Sequence, residues 1–415
     1  FGAKGDGVND DNTAFKQAIA AAGAGGTVIV PKTANFYLIN LASSSGSSLV
    51  ITSDITIRGT SRDVKIKTGI TEATSSAGVY NLFVVNSPAV LTVENLTLEG
   101  PEDGFGAFGA LHHNTGQGGI NVRYVSSTKF AQFLKTDEAS SLGKIIIDVQ
   151  DSDIITKLDY SPYNTFLINE LATFRMRRTR ASNEGLVTSS VNSAYIVYLN
   201  RGVNTNLDDN DFGNAPGSGV HIWGGGTTTT PDYVSITNNR FVGRYGIDGV
   251  FSSFAFLTNT RQETVFTNDT FITTDGSILA YGDVRVNDSK FSSGSATQIS
   301  SGIESVAVNS TFSIDHSNFY NTPINAQNAT STWRISNSHF NSPSTTYNVI
   351  MYVSGGHMSL INNIFEGASS QQVLHYSGEL EMRNNRFLNS SSSAAIEVAV
   401  GYGSSPKIIS QENYF

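Results

Sequence analysis

The 415-residue chain carries 26 Lys and Arg against 35 Asp and Glu, a formal net charge of −9, and it contains no cysteine. The negative charge disfavours nucleic acid and anionic membranes as partners, and the lack of cysteine excludes disulfides and thiolate metal sites. Charged residues make up only 15% of the chain, with Gly, Ser, Thr and Asn abundant, which is typical of a turn-rich β protein. No apolar run is long enough to span a bilayer, and the chain begins inside a motif without a signal peptide, which leaves secretion open.

The N-terminal segment, FGAKGDGVNDDNTAFKQAIAAAGAGGTVIVPK, predicts a helix followed by a strand. Asp10 or Asp11 is placed to cap the helix NTAFKQAIAAA, whose apolar residues share one face. Gly25 and Gly26 end the helix before the strand TVIVP. Asp6 lies in a glycine-flanked turn. The acidic residues of this segment are therefore expected to be structural and not catalytic.

This segment resembles the N-terminal signature of the pectate-lyase-like β-helix superfamily, which includes polygalacturonase-type hydrolases, alginate epimerase modules and phage tailspike depolymerases. The resemblance covers residues 1–33 and implies that they cap a β-helix without taking part in catalysis. It also implies a β-helical body over residues 34–415 and an activity on polysaccharides. We therefore expect two parts, the cap at 1–33 and the body at 34–415.

The stretch FRMRRTRASNEG places Arg residues at both parities of a strand. A strand buried on one face cannot hold so many unpaired guanidinium groups, so some of them lie in a turn or bind an anion. Lyases of the polygalacturonate type use Arg or Lys as the base, so the resemblance makes Arg178 or Arg180, with Lys157, a candidate lyase site. The alternative is a solvated surface or ion pairs with Glu170 and Glu184.

A polar pair followed by an aromatic residue recurs towards the C-terminus, as in TNNRF, NDSKF and SNSHF. The aromatic residues are spaced by 20 to 30 residues, at Phe212, Phe241, Phe271, Phe291, Phe319, Phe340, Phe365, Phe387 and Phe415. Units of this length cannot bury their apolar face alone, so they must stack. The predicted fold is all-β, a single-stranded right-handed parallel β-helix with coils about 4.8 Å apart. The Phe rings are expected to stack inside, and Asn residues to occupy left-handed turns and form amide ladders.

The coils around Phe212 and Phe241 contain the candidate catalytic residues. Aligning GSGVHIW with GRYGIDGVF sets His221 over Asp248 and directs both outward from adjacent coils. The other members of this cluster are Asp208, Asp209, Asp211, Trp223, Arg244 and Tyr245. A Trp ring stacks on a pyranose face, and two carboxylates supply the acid and the base or nucleophile of glycoside hydrolysis.

We expect Asp248 and one of Asp208, Asp209 or Asp211 to be catalytic. His221 is expected to assist them, and Arg244, Tyr245, Trp223, Arg178 and Arg180 to bind substrate. The alternative is structural, because Asp209 and Asp211 occupy turn positions that Asn fills in other coils, and Trp223 could belong to the core.

Other motifs carry less information. The YGID at 245–248 resembles the start of an alginate epimerase motif, but Val250 stands where that motif has His. His112 and His113 are adjacent in a predicted strand and point to opposite faces, so they do not form a metal site. Paired acids could bind Ca²⁺ through oxygen, but no spacing supports it, so no metal or cofactor is expected.

The sequence thus predicts a polysaccharide depolymerase, an endo-glycoside hydrolase acting on a bacterial capsule, O-antigen, exopolysaccharide or algal polysaccharide. Hydrolysis is preferred over β-elimination because the outward groups are acids and not Lys. The alternatives are a lyase or epimerase acting on a uronic-acid polymer, and a non-catalytic glycan-binding spike or adhesin. We expect an extracellular protein, secreted or on a virion tail, and a homotrimer is compatible with its flat Ser-, Thr- and Asn-rich flanks.

Overall fold

The protein is described from a computed structural model. The structure describes residues 1–41, 48–70, 80–101, 108–114, 116–137, 144–157, 164–169, 172–183, 195–200, 203–223, 233–250, 263–280, 282–293, 301–305, 309–326, 330–342, 349–367, 371–389, 395–398 and 406–415. Within these ranges no helix is long and apolar enough to cross a membrane. The chain divides into two compact units, residues 1–217 and 218–415, and each is described by itself.

Unit 1 begins with a helix and continues in short strands. Its elements are α1 (Asn12–Ala22), β1 (Gly26–Val30), β2 (Tyr37–Leu41), β3 (Leu49–Ile51), β4 (Ile55–Gly59), β5 (Lys65–Ile70), β6 (Tyr80–Val85), β7 (Val90–Glu99), β8 (Phe108–His113), β9 (Gly118–Phe130), β10 (Gln132–Thr136), β11 (Ile145–Gln150), β12 (Asp153–Thr156), β13 (Phe166–Ile168), β14 (Thr173–Arg177), β15 (Arg180–Asn183), β16 (Val197–Asn200), β17 (Asn204–Asp208) and β18 (Asp211–Trp223), within which the division between the units falls.

Unit 2 continues in strands only, within the residues described. They are β19 (Val234–Thr237), β20 (Arg240–Val250), β21 (Glu263–Thr267), β22 (Thr270–Ala280), β23 (Asp283–Asn287), β24 (Lys290–Ser293), β25 (Ser301–Ser305), β26 (Thr311–Asp315), β27 (Asn318–Tyr320), β28 (Ile324–Ala326), β29 (Thr332–Ser336), β30 (His339–Ser342), β31 (Val349–Ile361), β32 (Ile364–Gly367), β33 (Gln371–Arg383), β34 (Arg386–Leu388), β35 (Ile396–Val398) and β36 (Lys407–Gln411).

The strands of unit 1 pair in parallel with those of the next coil and form three faces. The first face contains the whole of β1, β4, β11, β14 and β17 and the first halves of β7 and β9. The second contains the whole of β2, β5, β12 and β15 and the second halves of β7 and β9. The third contains β3, β6, β8, β10, β13 and β16. Each coil thus contributes one strand to each face, which is the organisation of a parallel β-helix.

Unit 2 repeats this order of three faces. Its first face contains β19, β21, β23, β26, β29, the ends of β31 and β33, and β36. Its second contains the starts of β20 and β22, then β24, β27, β30, β32 and β34. Its third contains the ends of β20 and β22, β25, β28, the starts of β31 and β33, and β35.

The interior of unit 2 contains a column of phenylalanine rings on the second face. The rings of Phe241, Phe271, Phe291, Phe319, Phe340, Phe365, Phe387 and Phe415 follow one another at centroid distances of 4.5 to 5.1 Å, nearly parallel. The predicted stack is confirmed, and only its last member, Phe415, is exposed, at 73%. The recurring aromatic residue is therefore a packing position.

A two-residue turn joins the first face to the second in every described coil of unit 2. Its first residue has a positive φ, as in Asn238, Asn268, Asp288, His316, Asn337, Asn362 and Asn384. Its second residue is polar and buried, and it hydrogen-bonds to the next coil. Asn363 and Asn385, for example, each donate from the side-chain amide to the Oδ1 of the next Asn in the column, at 3.1 and 3.0 Å. The predicted left-handed turns and Asn ladder are confirmed.

The helix α1 spans the residues predicted for it and packs against β1, β2 and β3. Asp10 accepts a hydrogen bond from the first helical N–H, that of Asn12, at 3.0 Å. Asp11 instead accepts the backbone N–H of Lys4, at 2.6 Å. Asp6 accepts the N–H groups of its own turn, and these bonds, led by that from Asn9, lower its pKa to about 2. Each of these acids therefore has a structural partner, as the sequence predicts.

The third face differs from the other two in how the chain enters and leaves it. In unit 2 the chain leaves this face at Val250 and resumes at Glu263 in one coil, and leaves at Ala280 and resumes at Asp283 in the next. Connections of varying length on a regular scaffold are where binding and catalytic groups concentrate. The outward side of the third face is therefore the place where a site is expected.

Candidate functional site

Two groups of residues that the sequence treats separately are neighbours in unit 1. Arg177 pairs with Asp208, and Arg180 pairs with Asp211, on adjacent parallel strands. Between these pairs, the turn residue Arg178 lies next to the turn of Asp209 in the following coil. The candidate catalytic acids Asp208, Asp209 and Asp211 thus stack on the candidate substrate-binding Arg178 and Arg180.

This stack is a set of charge pairs at the corner between the first and second faces. Arg178 is paired with Asp151 of the preceding coil at 2.7 Å, and this bond raises the pKa of the arginine while Asp209 adds to the effect. Arg180 approaches Asp153 at 4.0 Å. Arg178 and Asp209 both have positive φ, at 45° and 55°. The prediction that some arginines lie in a turn is confirmed, and the partner is Asp151. Glu170 and Glu184 lie outside the described residues.

The candidates of unit 2 are only partly described. The outward orientation predicted for His221 is wrong, because only 7% of its surface is exposed. Its neighbours Val220 and Ile222 are buried too, at 0% and 2%, so the in-and-out alternation that the prediction assumed is interrupted here. Trp223, Arg244, Tyr245 and Asp248 lie in β18 and β20, but their side chains lie outside the described residues.

A carboxyl group that the sequence analysis missed lies on the third face of unit 2. Glu304 follows the buried Ile303 in β25 and is paired with Asn325 of β28, which in turn is paired with Tyr352 of β31. Ile303 is fully buried, whereas Glu304, Asn325 and Tyr352 are half-buried and lie on the outer side. The three side chains thus form one outward row across neighbouring strands.

The environment of Glu304 keeps its carboxyl group protonated to higher pH than usual. Burial raises its pKa, and no hydrogen bond or ion pair to its side chain is found among the described residues. Beside it, the Oδ1 of Asn325 is buried and also lacks a hydrogen-bond partner. A buried polar atom without a partner is costly, so this row, whose Glu304 and Asn325 lack partners among the described residues, is a candidate ligand site.

A second tyrosine, Tyr376 of β33, lies beside Tyr352 at the end of this row. The rings of Tyr352 and Tyr376 lie 4.9 Å apart between centroids, with an interplanar angle of 41°. Burial, followed by the proximity of Tyr376, raises the pKa of Tyr352, so its hydroxyl stays protonated at neutral pH. Partly exposed tyrosines provide an apolar face for a sugar ring and a hydroxyl for hydrogen bonding.

Asp248 belongs to the same face by its backbone. It follows Ile247, which is paired with Ile278, which is paired with Ile303, the residue before Glu304. A register shift between Ile247 and Val250 accompanies this pairing. One strand, β22, separates the two acidic positions, so about 9 to 10 Å lies between their backbones.

The third face of unit 1 contains a different polar cluster. The Nε2 of His112 lies 3.0 Å from Oδ1 of Asp137, and Nζ of Lys135 lies 3.1 Å from the same oxygen. His113, the next residue, is fully buried, which confirms that the two adjacent histidines point to opposite faces. In the part of the chain that the structure describes, no three His, Asp or Glu side chains are arranged to hold a metal ion.

Known proteins resemble the chain in structure but not in sequence. No protein-family model and no curated protein sequence matches it. The A-module of the Azotobacter vinelandii mannuronan C-5 epimerase AlgE4 has a TM-score of 0.50 and 14% identity, covering 99% of this chain and 98% of that chain. The tailspike protein gp49 from Pseudomonas phage LKA1 has a TM-score of 0.48 and 10% identity, covering 98% and 74%. PfbA, a surface adhesin of Streptococcus pneumoniae, has a TM-score of 0.45 and 12% identity, covering 97% and 92%.

At these identities the likeness concerns the fold alone. The chain is an all-β, right-handed parallel β-helix with a short N-terminal helix, and the fold predicted from the sequence is confirmed. Its activity has to be argued from its own residues.

Proposed function

We propose that the protein is a polysaccharide-degrading glycoside hydrolase whose active site lies on the third face of unit 2. Glu304 is the general acid that protonates the glycosidic oxygen, and Asp248 is the second carboxylate. The observation that carries this proposal is the Glu304 carboxyl group, which has a raised pKa and no partner among the described residues. It lies in an outward row beside Asn325, whose Oδ1 has no hydrogen-bond partner among the same residues. A carboxyl group that stays protonated to higher pH than an ordinary glutamate is suited to protonate the oxygen of a glycosidic bond.

The spacing of the two acids favours inversion of configuration. Their backbones lie on strands about 9 to 10 Å apart, and inverting enzymes hold their carboxyl groups about 6.5 to 9.5 Å apart to admit a water molecule. Asp248 then acts as the base that activates this water, while Glu304 protonates the leaving group. A retaining enzyme would need the two groups closer together, at about 5 Å.

The tyrosines of the same face support binding of a polymer and not only of a single sugar. Successive strands of a parallel sheet are about 4.8 Å apart, which is close to the advance per sugar of an extended polysaccharide. A glycan lying across the strands therefore presents one sugar to each of β25, β28 and β31. Tyr352 on β31 and Tyr376 on β33 then lie about two and three sugars from Glu304 on β25.

The names of the fold neighbours agree with a polysaccharide substrate, since one acts on mannuronan and another is a phage tailspike. Capsules, O-antigens and exopolysaccharides lie outside the cell, so the proposal includes an extracellular location, secreted or on a virion tail, and extends to a homotrimer. The second candidate is a lyase or epimerase acting on a uronic-acid polymer. It is favoured by the YGID of β20, although Val250 replaces the His of the epimerase motif.

The test is an assay of reducing ends and ultraviolet absorbance on capsular, O-antigen, exopolysaccharide and algal polysaccharides. We expect new reducing ends without absorbance from the wild type, and a loss of at least about a hundredfold in Glu304→Gln and in Asp248→Asn. The matched control is Glu397→Gln, an exposed carboxylate of the same face, which should retain activity. Products that absorb ultraviolet light would show that the reaction is β-elimination and not hydrolysis. Binding without any product would indicate a glycan-binding spike.

A further inference from the structure

The outward side of the third face in unit 1 has features of a second ligand site. His112 is paired with Lys135, Lys135 with Leu167, and Leu167 with Tyr198, on the successive strands β8, β10, β13 and β16. All four side chains are half-buried, while the residues that alternate with them are buried in the core. They therefore form one continuous row that faces away from the core.

Asp137 provides a charged acceptor at one end of this row. Both His112 and Lys135 approach its Oδ1, and no described residue hydrogen-bonds to its Oδ2, although 34% of the side chain is exposed. The neighbouring His112, followed by Lys135, lowers the pKa of Asp137 to about 2. The carboxylate is thus ionised at neutral pH and keeps one oxygen available for a ligand.

His112 is held in one orientation by its other nitrogen. Its Nδ1 lies 3.3 Å from the side-chain amide nitrogen of Asn81, which donates to it. In the neutral ring the proton is then on Nε2, the atom that faces Asp137.

An aromatic surface lies at the other end of the row. The ring of Tyr198 lies 5.6 Å from that of Tyr195, at an interplanar angle of 33°, and Tyr195 is 8% exposed. The buried ring thus supports the half-exposed one. Lys135 and Tyr198 are two strands apart, about 10 Å, which is the span of roughly two sugars of an extended chain at one sugar per strand.

We propose that His112, Lys135 and Tyr198 of this row, together with Asp137 at its end, form a non-catalytic binding site for an oligosaccharide with vicinal hydroxyl groups. The ammonium group of Lys135 donates to one hydroxyl and Oδ2 of Asp137 accepts from its neighbour, while a second sugar stacks on Tyr198. The site is non-catalytic because its carboxylate is ionised and paired with a cation, so it neither supplies a proton nor acts as a strong base.

A cluster that serves only to stabilise the face would explain the two contacts to Oδ1. It would not require an exposed second oxygen, nor a supported aromatic ring two strands away in the same row. The inference does not depend on hydrolysis in unit 2, since binding and cleavage are measured separately.

The test uses the full chain carrying Glu304→Gln, so that no ligand is cleaved, on a printed array of neutral and acidic oligosaccharides. We expect at least one oligosaccharide to bind. Asp137→Asn and Tyr198→Ala should each weaken its binding in solution by about tenfold or more, as measured by calorimetry. Asp137→Asn is nearly isosteric, so the test remains valid even if Tyr198→Ala impairs folding. Thermal unfolding of each variant shows whether it is folded.

Matched controls come from the same unit. Asp151→Asn removes a carboxylate that is also paired with a cation, and Tyr124→Ala removes an exposed tyrosine, and neither lies on the third face. Both should bind as the parent protein does. The proposal is overturned if no oligosaccharide binds, or if Asp137→Asn and Tyr198→Ala bind as tightly as these controls.

Discussion

Arg178 donates two hydrogen bonds to Asp151 of the preceding coil, from Nε to Oδ1 at 2.7 Å and from Nη2 to Oδ2 at 2.9 Å. The Nε and Nη2 edge of the guanidinium, one of the two edges that could hold a substrate carboxylate in a bidentate manner, is therefore occupied within the protein. This arrangement favours a structural role for the arginine-rich turn over the lyase role considered from the sequence.

Replacing Arg178 should leave activity intact. We expect Arg178→Gln to cleave polysaccharide within about twofold of the wild-type rate, and to lower the melting temperature by a few degrees at most, because exposed ion pairs contribute little. The measurement is a reducing-end assay with a thermal unfolding scan. Arg180→Gln, whose contact with Asp153 is longer at 4.0 Å, serves as the control. A loss of activity in Arg178→Gln but not in Arg180→Gln would instead indicate that the arginine-rich turn takes part in substrate binding or catalysis.

The raised pKa of Glu304 predicts the shape of the pH dependence. Its side chain must be protonated to act as the acid, so kcat/KM should fall as pH rises through its pKa, which lies above the ordinary value of 4.5. Active enzyme should thus persist to a higher pH than an exposed glutamate would allow. Glu304→Gln should abolish this basic limb and lose about 10²- to 10⁴-fold in rate.

An activated leaving group distinguishes the acid from a residue that only shapes the site. An aryl glycoside with a nitrophenolate leaving group needs no proton, so Glu304→Gln should recover most of its activity on such a substrate. Asp248→Asn should not recover, because its proposed role is to activate water. Equal losses on both substrates in Glu304→Gln would argue against general-acid catalysis.

Glu99 predicts how unit 1 responds to acid. It is 6% exposed and contacts Lys65 at 2.7 Å and Lys129 at 3.0 Å. Burial by itself would raise the pKa of Glu99, but the bonds from these lysines lower it from 4.5 to about 2. A lowered pKa gives stability that is present above the unfolded value and is lost as pH falls towards the folded value.

The wild type should therefore lose up to about 3 kcal/mol of unfolding free energy relative to Glu99→Gln between about pH 5 and pH 2. Urea unfolding of both proteins across this range measures the difference. Asp63→Asn is the control, because Asp63 forms an ion pair with Lys32 in which both side chains are exposed to solvent. If the difference in unfolding free energy between wild type and Glu99→Gln stayed constant over this pH range, the lowered pKa of Glu99 would be contradicted.

The ring column predicts unequal losses of stability for substitutions of two adjacent residues. Phe319 is 2% exposed and stacks between Phe291 and Phe340 at 4.5 and 4.6 Å, whereas Tyr320 is 49% exposed. Phe319→Ala should cost about 3 to 5 kcal/mol by leaving a cavity in the column, and Tyr320→Ala less than about 1 kcal/mol. Denaturant unfolding of the two variants provides the comparison, and similar losses in both would be inconsistent with a continuous column.

Much of the fold could be predicted because the corner between the first and second faces has a fixed geometry. Its left-handed residue and its inward Phe keep a constant spacing, so Asn238 and Phe241 define the same positions as Asn268 and Phe271. The helix Asn12–Ala22 was predicted for a similar reason, since its turns and apolar face are local. Local rules fix local structure, and stacking then follows.

The site could not be predicted in the same way because the third face lacks this constant spacing. The segment SGIES has no Asn-Phe signature, and only the paired row of Ile278, Ile303 and Ile324 reveals that Glu304 faces outward. His221 shows the same problem. The repeat alignment assumed that residues alternate between inside and outside, and it therefore predicted an outward orientation for a side chain that is buried. Burial of a carboxyl group, which raises its pKa, is a tertiary property with no sequence signal.

The buried residue of each corner turn donates its backbone N–H forward, and never backward, in the bonds described. Thr179 donates to Oδ1 of Asn210, Ser317 to Oγ of Ser338, and Asn363 to Oδ1 of Asn385. A coil therefore depends for one of its buried hydrogen bonds on the coil synthesised after it. During translation, each coil therefore gains this acceptor only when the coil that follows it has been synthesised.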